Sequence, residues 1–160
     1  MGAAETHDAA SLDVLLVCSS GGHLAQLVPL LPELAGAARR WVTFPTGDAT
    51  SLLADEDWVA AHHPTTRHLP NLLRNASLAL RTLRHRRPDV VVSTGAGVAL
   101  PFFLLARLMR VPTVYLEVYD RLDGPTLTGR LCRPLTTRFL VQWEEQLAFY
   151  PGATVVGRVL

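Results

Sequence analysis

The chain has 160 residues, enough for one domain with a layered core and too few for two. Hydrophobic residues make up 49% and charged residues 18%, below the roughly 25% of an average soluble domain, so part of the surface is expected to lie against a partner or a membrane. The net charge of +1 excludes neither, but all 15 Lys-plus-Arg residues are arginine, which excludes Schiff-base lysine chemistry and any phosphate loop that needs its lysine.

Residues 1–11 carry Glu5, His7 and Asp8 and no apolar run; they are expected to be disordered and to hold no secretory signal. Residues 12–18 (LDVLLVC) form a continuous apolar run, as in a strand buried on both faces. SSGGH follows, then a helical pattern in which Pro29 and Pro32 predict a kink or an early stop. Residues 40–44 predict a second strand, the polar stretch 48–57 a short helix, and residues 58–62 a third strand. Leu72, Leu73, Ala76, Ala79, Leu80 and Leu83 give residues 71–87 a helical apolar face, and Pro88 ends it. Strands are then predicted at 89–93, 112–118, 138–142 and 153–156. The intervening helices fall at about 97–110, 127–135 and 144–149. The uncharged run 90–106 is short for a membrane span and is broken by glycines and Pro101. Strands alternating with helices predict an α/β fold, a Rossmann-like parallel sheet with helices on both faces, over residues 12–160.

In such sheets ligands gather at the carboxyl ends of the strands. Two glycine-containing loops are predicted there. In the first, Gly21 and Gly22 permit close backbone approach, the helix start attracts anions, and Ser19 and Ser20 have capping hydroxyls. His23 at that helix start is disfavoured as a cation, and a neutral imidazole beside a bound hydroxyl is a candidate general base. A plain βα turn with an idle histidine fits the spacing as well. The second loop, Ser93 to Gly97, brings Thr94, Gly95 and Gly97 to the same rim. Glu117 ends the next strand there, either to orient a substrate hydroxyl or to tie two loops together. Cys18 and Cys132 lack metal spacing and are expected to be buried thiols in a reducing compartment. No metal or cofactor is expected.

SSGGH, the run VVVSTGAGVALPFFLLARLMRVPTVYLE and the ending YPGATVVGRVL together resemble the N-terminal domain of GT-B glycosyltransferases such as MurG. The chain is most similar to a single-domain branch: the PssD-type bacterial polysaccharide biosynthesis proteins and the eukaryotic subunit that anchors the enzyme adding the second GlcNAc to dolichol-linked sugar. The resemblance implies the acceptor-binding half of a two-component enzyme that transfers sugar from a UDP-sugar to a polyprenyl-pyrophosphate-linked acceptor. It implies a PssE-type donor-binding partner. Gly21, Gly22 and His23 match the first family motif, Thr94, Gly95 and Gly97 the second, and Glu117 the acidic position after it, with His23 and Glu117 as the catalytic pair. Ala96 stands where the family pattern has glycine. The run VVGRVL lies about where one-chain relatives cross into their second domain, so a partner is expected to supply the other half of the cleft.

Arg74, Arg81, Arg84, Arg86 and Arg87 make the third predicted helix basic, and residues 67–87 contain no acid. A basic amphipathic helix fits an anionic lipid surface, each arginine contributing about 1 kcal/mol; a solvated face over a leucine core is the ordinary alternative. Peripheral attachment at the cytoplasmic face of the cell membrane is expected. A nucleic-acid partner is not, because no aromatic stacking platform accompanies the arginines. A non-catalytic scaffold that recruits and activates its partner is the competing reading.

Overall fold

The structure, a computed structural model, describes residues 12–159, so the disorder expected of residues 1–11 lies outside the described residues. The elements are β1 (Asp13–Val17), α1 (Gly22–Leu27), β2 (Ala38–Thr43), α2 (Gly47–Leu52), β3 (Asp57–Ala60), α3 (Leu69–His85), β4 (Val90–Ser93), α4 (Ala99–Leu108), β5 (Thr113–Leu116), α5 (Leu127–Cys132), β6 (Arg138–Val141) and β7 (Thr154–Val155). Short 3-10 turns at Val28–Leu30, Arg133–Leu135 and Glu144–Ala148 complete the described chain. The predicted elements are all present, most of them trimmed at their ends. α1 stops at Leu27, before Pro29, which enters a 3-10 turn instead of continuing the helix.

All strand pairs are parallel, in the order β3-β2-β1-β4-β5-β6-β7. The order reverses between β1 and β4, so that pair is the switch point of a Rossmann-like sheet. Alternate residues of β1 supply two cores. Val14 and Leu16 join Leu24, Leu27, Trp41, Ala49 and Leu53 beneath α1 and α2. Leu15 and Val17 join Leu78, Leu83, Phe102, Phe103 and Tyr115 beneath α3, α4 and α5. Each fully buried large side chain contributes about 1.5–3 kcal/mol by leaving water.

The two helical layers differ in charge. α2 carries Asp48 and the turns of its layer Glu33, Asp55 and Glu56, whereas α3, α4 and α5 contain no Asp or Glu and the acids beside them, Asp120 and Asp123, lie in the loop before α5. The buried stripe of α3 is Asn71, Asn75, Leu78, Ala79 and Leu83, so the leucine face predicted from Leu72 and Leu73 is rotated. The asparagines hold loop backbone: Asn75 accepts from the His62 N–H (2.8 Å) and donates to the His62 carbonyl (2.9 Å), and Asn71 donates to the Pro64 carbonyl (2.9 Å). Leu73 is thereby turned outward and is 63% exposed.

Candidate functional site

β1 and β4 run side by side, with Val17 opposite Ser93, so the loops after them leave the sheet together at its carboxyl edge. Two hydrogen bonds lace these loops. The His23 ring donates through Nδ1–H to the Thr94 carbonyl (2.9 Å), and the Thr94 hydroxyl donates to the His23 carbonyl (2.8 Å). A carbonyl only accepts, so Nδ1 carries the proton and Nε2 keeps its lone pair. Burial of the ring lowers the His23 pKa below its ordinary 6.5, outweighing the Thr94 carbonyl and the negative charges of Glu117 and Asp120, which act the other way. At neutral pH the imidazole is therefore uncharged.

The first loop is open. Among the described residues, no atom beyond the adjoining backbone lies within 4 Å of a Cβ built at Gly21 or Gly22. Gly21 has φ +71°, a left-handed conformation suited to glycine, and its N–H donates to Asp48 Oδ2 (2.8 Å). An acid of the chain itself thus already occupies one donor that the sequence offered to an anion. Gly21 is the N-cap of α1 and no side chain caps it, so the capping expected of Ser19 and Ser20 is not found. Both serines are half-buried in the turn.

The second loop is closely packed. The Gly95 N–H donates to Ser93 Oγ (2.9 Å), and Gly95 has φ +112° with the Tyr115 hydroxyl against the place a Cβ would occupy. A Cβ at Gly97 would lie 2.9 Å from that of Thr65. Ala96 takes φ +64°, a left-handed conformation that costs a residue with a Cβ about 1 kcal/mol.

Beside these loops is a cavity of about 810 Å³. His23, Ala96 and Gly97 form one wall; Leu69, Leu72, Leu100, Leu127 and Leu131 make the mouth apolar; Arg67, His68 and Arg121 add polar or cationic groups. It lies at the amino ends of α3, α4 and α5. Sequence reasoning missed the contributions of Arg121, Thr126 and Leu127, which sit in and after the polar loop following β5.

Glu117 stands apart from the cavity wall. It is fully buried, and its carboxylate accepts from the Val118 N–H (3.0 Å), the Thr126 hydroxyl (3.0 and 3.1 Å) and the Tyr150 hydroxyl. Thr126 in turn caps α5 by accepting from the Gly129 N–H (2.9 Å). Of the two roles open to it, this geometry gives Glu117 the tie between loops, and it shapes the cavity through Thr126.

The five arginines expected at a membrane do not form one patch. Arg74 donates to Asn71 Oδ1 (3.1 Å) near the cavity. Arg86 is ion-paired with Asp13 Oδ2 (2.5 Å), and its side chain stays half exposed. Arg87 donates to the Arg110 carbonyl (3.4 Å). Arg81 and Arg84 are exposed, about 14 Å or more along the helix from Leu72 at 1.5 Å per residue. Leucines instead lead on the outer surface of the layer of α3, α4 and α5: Leu69, Leu73, Leu108 and Leu127 are 63–71% exposed.

Comparison with known proteins places this geometry. Residues 60–159 match the family described as "Oligosaccharide biosynthesis protein Alg14 like". The chain belongs to the Alg14-like family. Among similar proteins, the UDP-N-acetylglucosamine transferase subunit ALG14 of Rattus norvegicus is 28% identical over 181 residues, covering 94% of this chain and 84% of the relative. A UDP-N-acetylglucosamine–N-acetylmuramyl-(pentapeptide) pyrophosphoryl-undecaprenol N-acetylglucosamine transferase of Syntrophotalea carbinolica is 35% identical over 91 residues, covering 56% of this chain and 25% of the relative. The solved structure of Acinetobacter baumannii MurG superposes with a TM-score of 0.75 at 20% identity, covering 92% of this chain and 46% of MurG. The chain thus spans under half of that solved structure, and the shared architecture is the Rossmann-like fold of a GT-B glycosyltransferase half.

Proposed function

We propose that this protein is the acceptor-binding subunit of a two-component glycosyltransferase that moves a sugar from a UDP-sugar to a polyprenyl-pyrophosphate-linked acceptor. The observation that carries the reading is the cavity at the switch point. It combines an uncharged histidine held by its Nδ1–H, a leucine-lined mouth and the guanidiniums of Arg67 and Arg121. An isoprenoid-pyrophosphate-sugar has the matching parts: an apolar chain for the leucines, an anion for the arginines, and a hydroxyl for His23 Nε2. In this mechanism the cavity positions the hydroxyl, and His23 removes its proton as its oxygen bonds to the anomeric carbon of the donor sugar and the bond from that carbon to UDP breaks, releasing UDP. Of the loop residues, Gly97 lines the cavity, Thr94 holds His23 and Gly95 makes room for Tyr115, while the turn of Ser19, Ser20, Gly21 and Gly22 offers open backbone on the same rim. A donor-binding chain of the PssE type closes the cleft over the carboxyl edge.

The layer of α3, α4 and α5 is the peripheral membrane contact in this reading, on the cytoplasmic side. Its exposed leucines enter the interface, and Arg74, Arg81 and Arg84 meet anionic headgroups. No helix among the described residues is long and apolar enough to cross a membrane.

The test is transfer from UDP-N-acetylglucosamine to a lipid-linked acceptor, with this chain and its donor-binding partner co-purified. His23→Ala lowers turnover about 10²- to 10⁴-fold, the range of a lost general base, while the two chains still co-purify. Undiminished turnover of that variant in an intact complex leaves only the scaffold role.

A further inference from the structure

A second cavity, of about 480 Å³, lies at the opposite edge of the sheet, where the last turns of α3 pass over β2 and β3. Leu15 and Val59 are among its apolar lining; Arg40, Arg81, Thr82, His85 and Arg86 supply its polar groups, and Asp57 is its one acid. Register fixes the chemistry. Arg40 is paired with Asp57 across β2 and β3, and Leu15 lies on its other side, so Arg40 rises from the sheet into this space. Arg40 is 9% exposed. Its Nε donates to Asp13 Oδ1 (3.0 Å) and one Nη to the Arg86 carbonyl (2.9 Å). Its other Nη donates to no group among the described residues. Arg86 takes the second oxygen of the same Asp13.

Two guanidiniums therefore share one carboxylate, so one positive charge of the cluster is unbalanced; Arg40 is buried and the Arg86 side chain is half exposed. Asp57 makes no ion pair among the described residues, and neither does Arg81, which stands one turn before His85 and Arg86 on the cavity side of α3. Helix-dipole complementarity explains cations at the end of α3. It does not explain Arg40, which comes from the sheet.

We propose that this cavity binds a phosphate-bearing anion, with Arg40 and Arg81 as its ligands, Arg86 held in place by Asp13, and the Thr82 hydroxyl as a further donor. Planar guanidiniums from two elements converging on one space suit bidentate recognition of phosphate oxygens. Asp57 weakens the site by repulsion. The anion comes either from a phospholipid headgroup or from a soluble phosphate ester. The site is separate from the acceptor cavity and shares only Arg81 with the membrane face proposed above.

The experiment titrates the full chain with sn-glycerol 1-phosphate, following binding by thermal shift, and measures co-sedimentation with vesicles of phosphatidylcholine with and without phosphatidylglycerol. Arg81→Gln is the test variant. Arg84→Gln is its charge-matched control, because Arg84 is exposed and lies outside the cavity. Saturable glycerol phosphate binding is expected, weakened about tenfold or more by Arg81→Gln as for a lost charge-assisted hydrogen bond. Arg84→Gln leaves it unchanged and Asp57→Asn tightens it. With ester binding weakened by Arg81→Gln alone, greater loss of phosphatidylglycerol vesicles by Arg81→Gln than by Arg84→Gln assigns the site to a headgroup, and no such difference assigns it to a soluble ligand. Non-saturable ester binding, or equal loss of ester binding in the two arginine variants, overturns the proposal.

Discussion

The loop after β1 leaves open space around Gly21 and Gly22, whereas the loop after β4 presses Gly95 against Tyr115 and Gly97 against Thr65. The loops leave neighbouring strands at one edge and are laced through His23 and Thr94, yet their glycines serve different needs. In the first, a missing side chain leaves room for something from outside the chain. In the second, it leaves room for the protein's own atoms. A glycine-rich loop in a parallel sheet is thus no sign of ligand contact until its surroundings are known.

Substitutions sharpen the contrast. Gly95→Ala is expected to cost about 3 kcal/mol, combining a disfavoured positive φ with collision against Tyr115, and shows as a large fall in denaturation midpoint. Glu117→Gln is expected to cost about 2 kcal/mol, because the amide places a donor where Thr126 and Tyr150 already donate. An unchanged midpoint with lost transfer activity would instead return Glu117 to the chemistry. His23 makes stability depend on pH. Its folded pKa lies below 6.5, so the unfolded chain binds the proton first: stability is complete above 6.5, is lost as pH falls through the folded value, and levels off below it. His23→Gln removes that part of the slope in denaturant titrations across this window. Ala96→Gly is expected to stabilise by up to about 1 kcal/mol by relieving a left-handed alanine. Gly22→Ala, with nothing to meet, is expected to stay within about 0.5 kcal/mol while testing the open loop in the transfer assay.

The buried strands made the sheet legible. DVLLV, VVVS and TVYL are apolar on both faces, and only a parallel sheet covered twice accommodates them. The common rim of the two loops followed from the same pattern. What stayed hidden depends on rotation and distance. The turning of α3 is set by Asn71 and Asn75 holding backbone, which periodicity reads as polar and therefore outward. The remoteness of Arg81 and Arg84 from the cavity follows from the length of α3, and the engagement of Arg86 from an acid 73 positions earlier. Cys18 and Cys132, expected to be buried thiols, are fully buried. Burial pushes both pKa values up to about 12, so thiol reagents are expected to label them only after unfolding.

The bond from His23 to Thr94 joins positions 71 apart in the chain. Everything that crosses from β1 to β4 has to be in place before the ring settles on one tautomer. The imidazole is thus a natural reporter of completed assembly: its nitrogen resonances distinguish a chain with a finished sheet from one in which only the first three strands have come together.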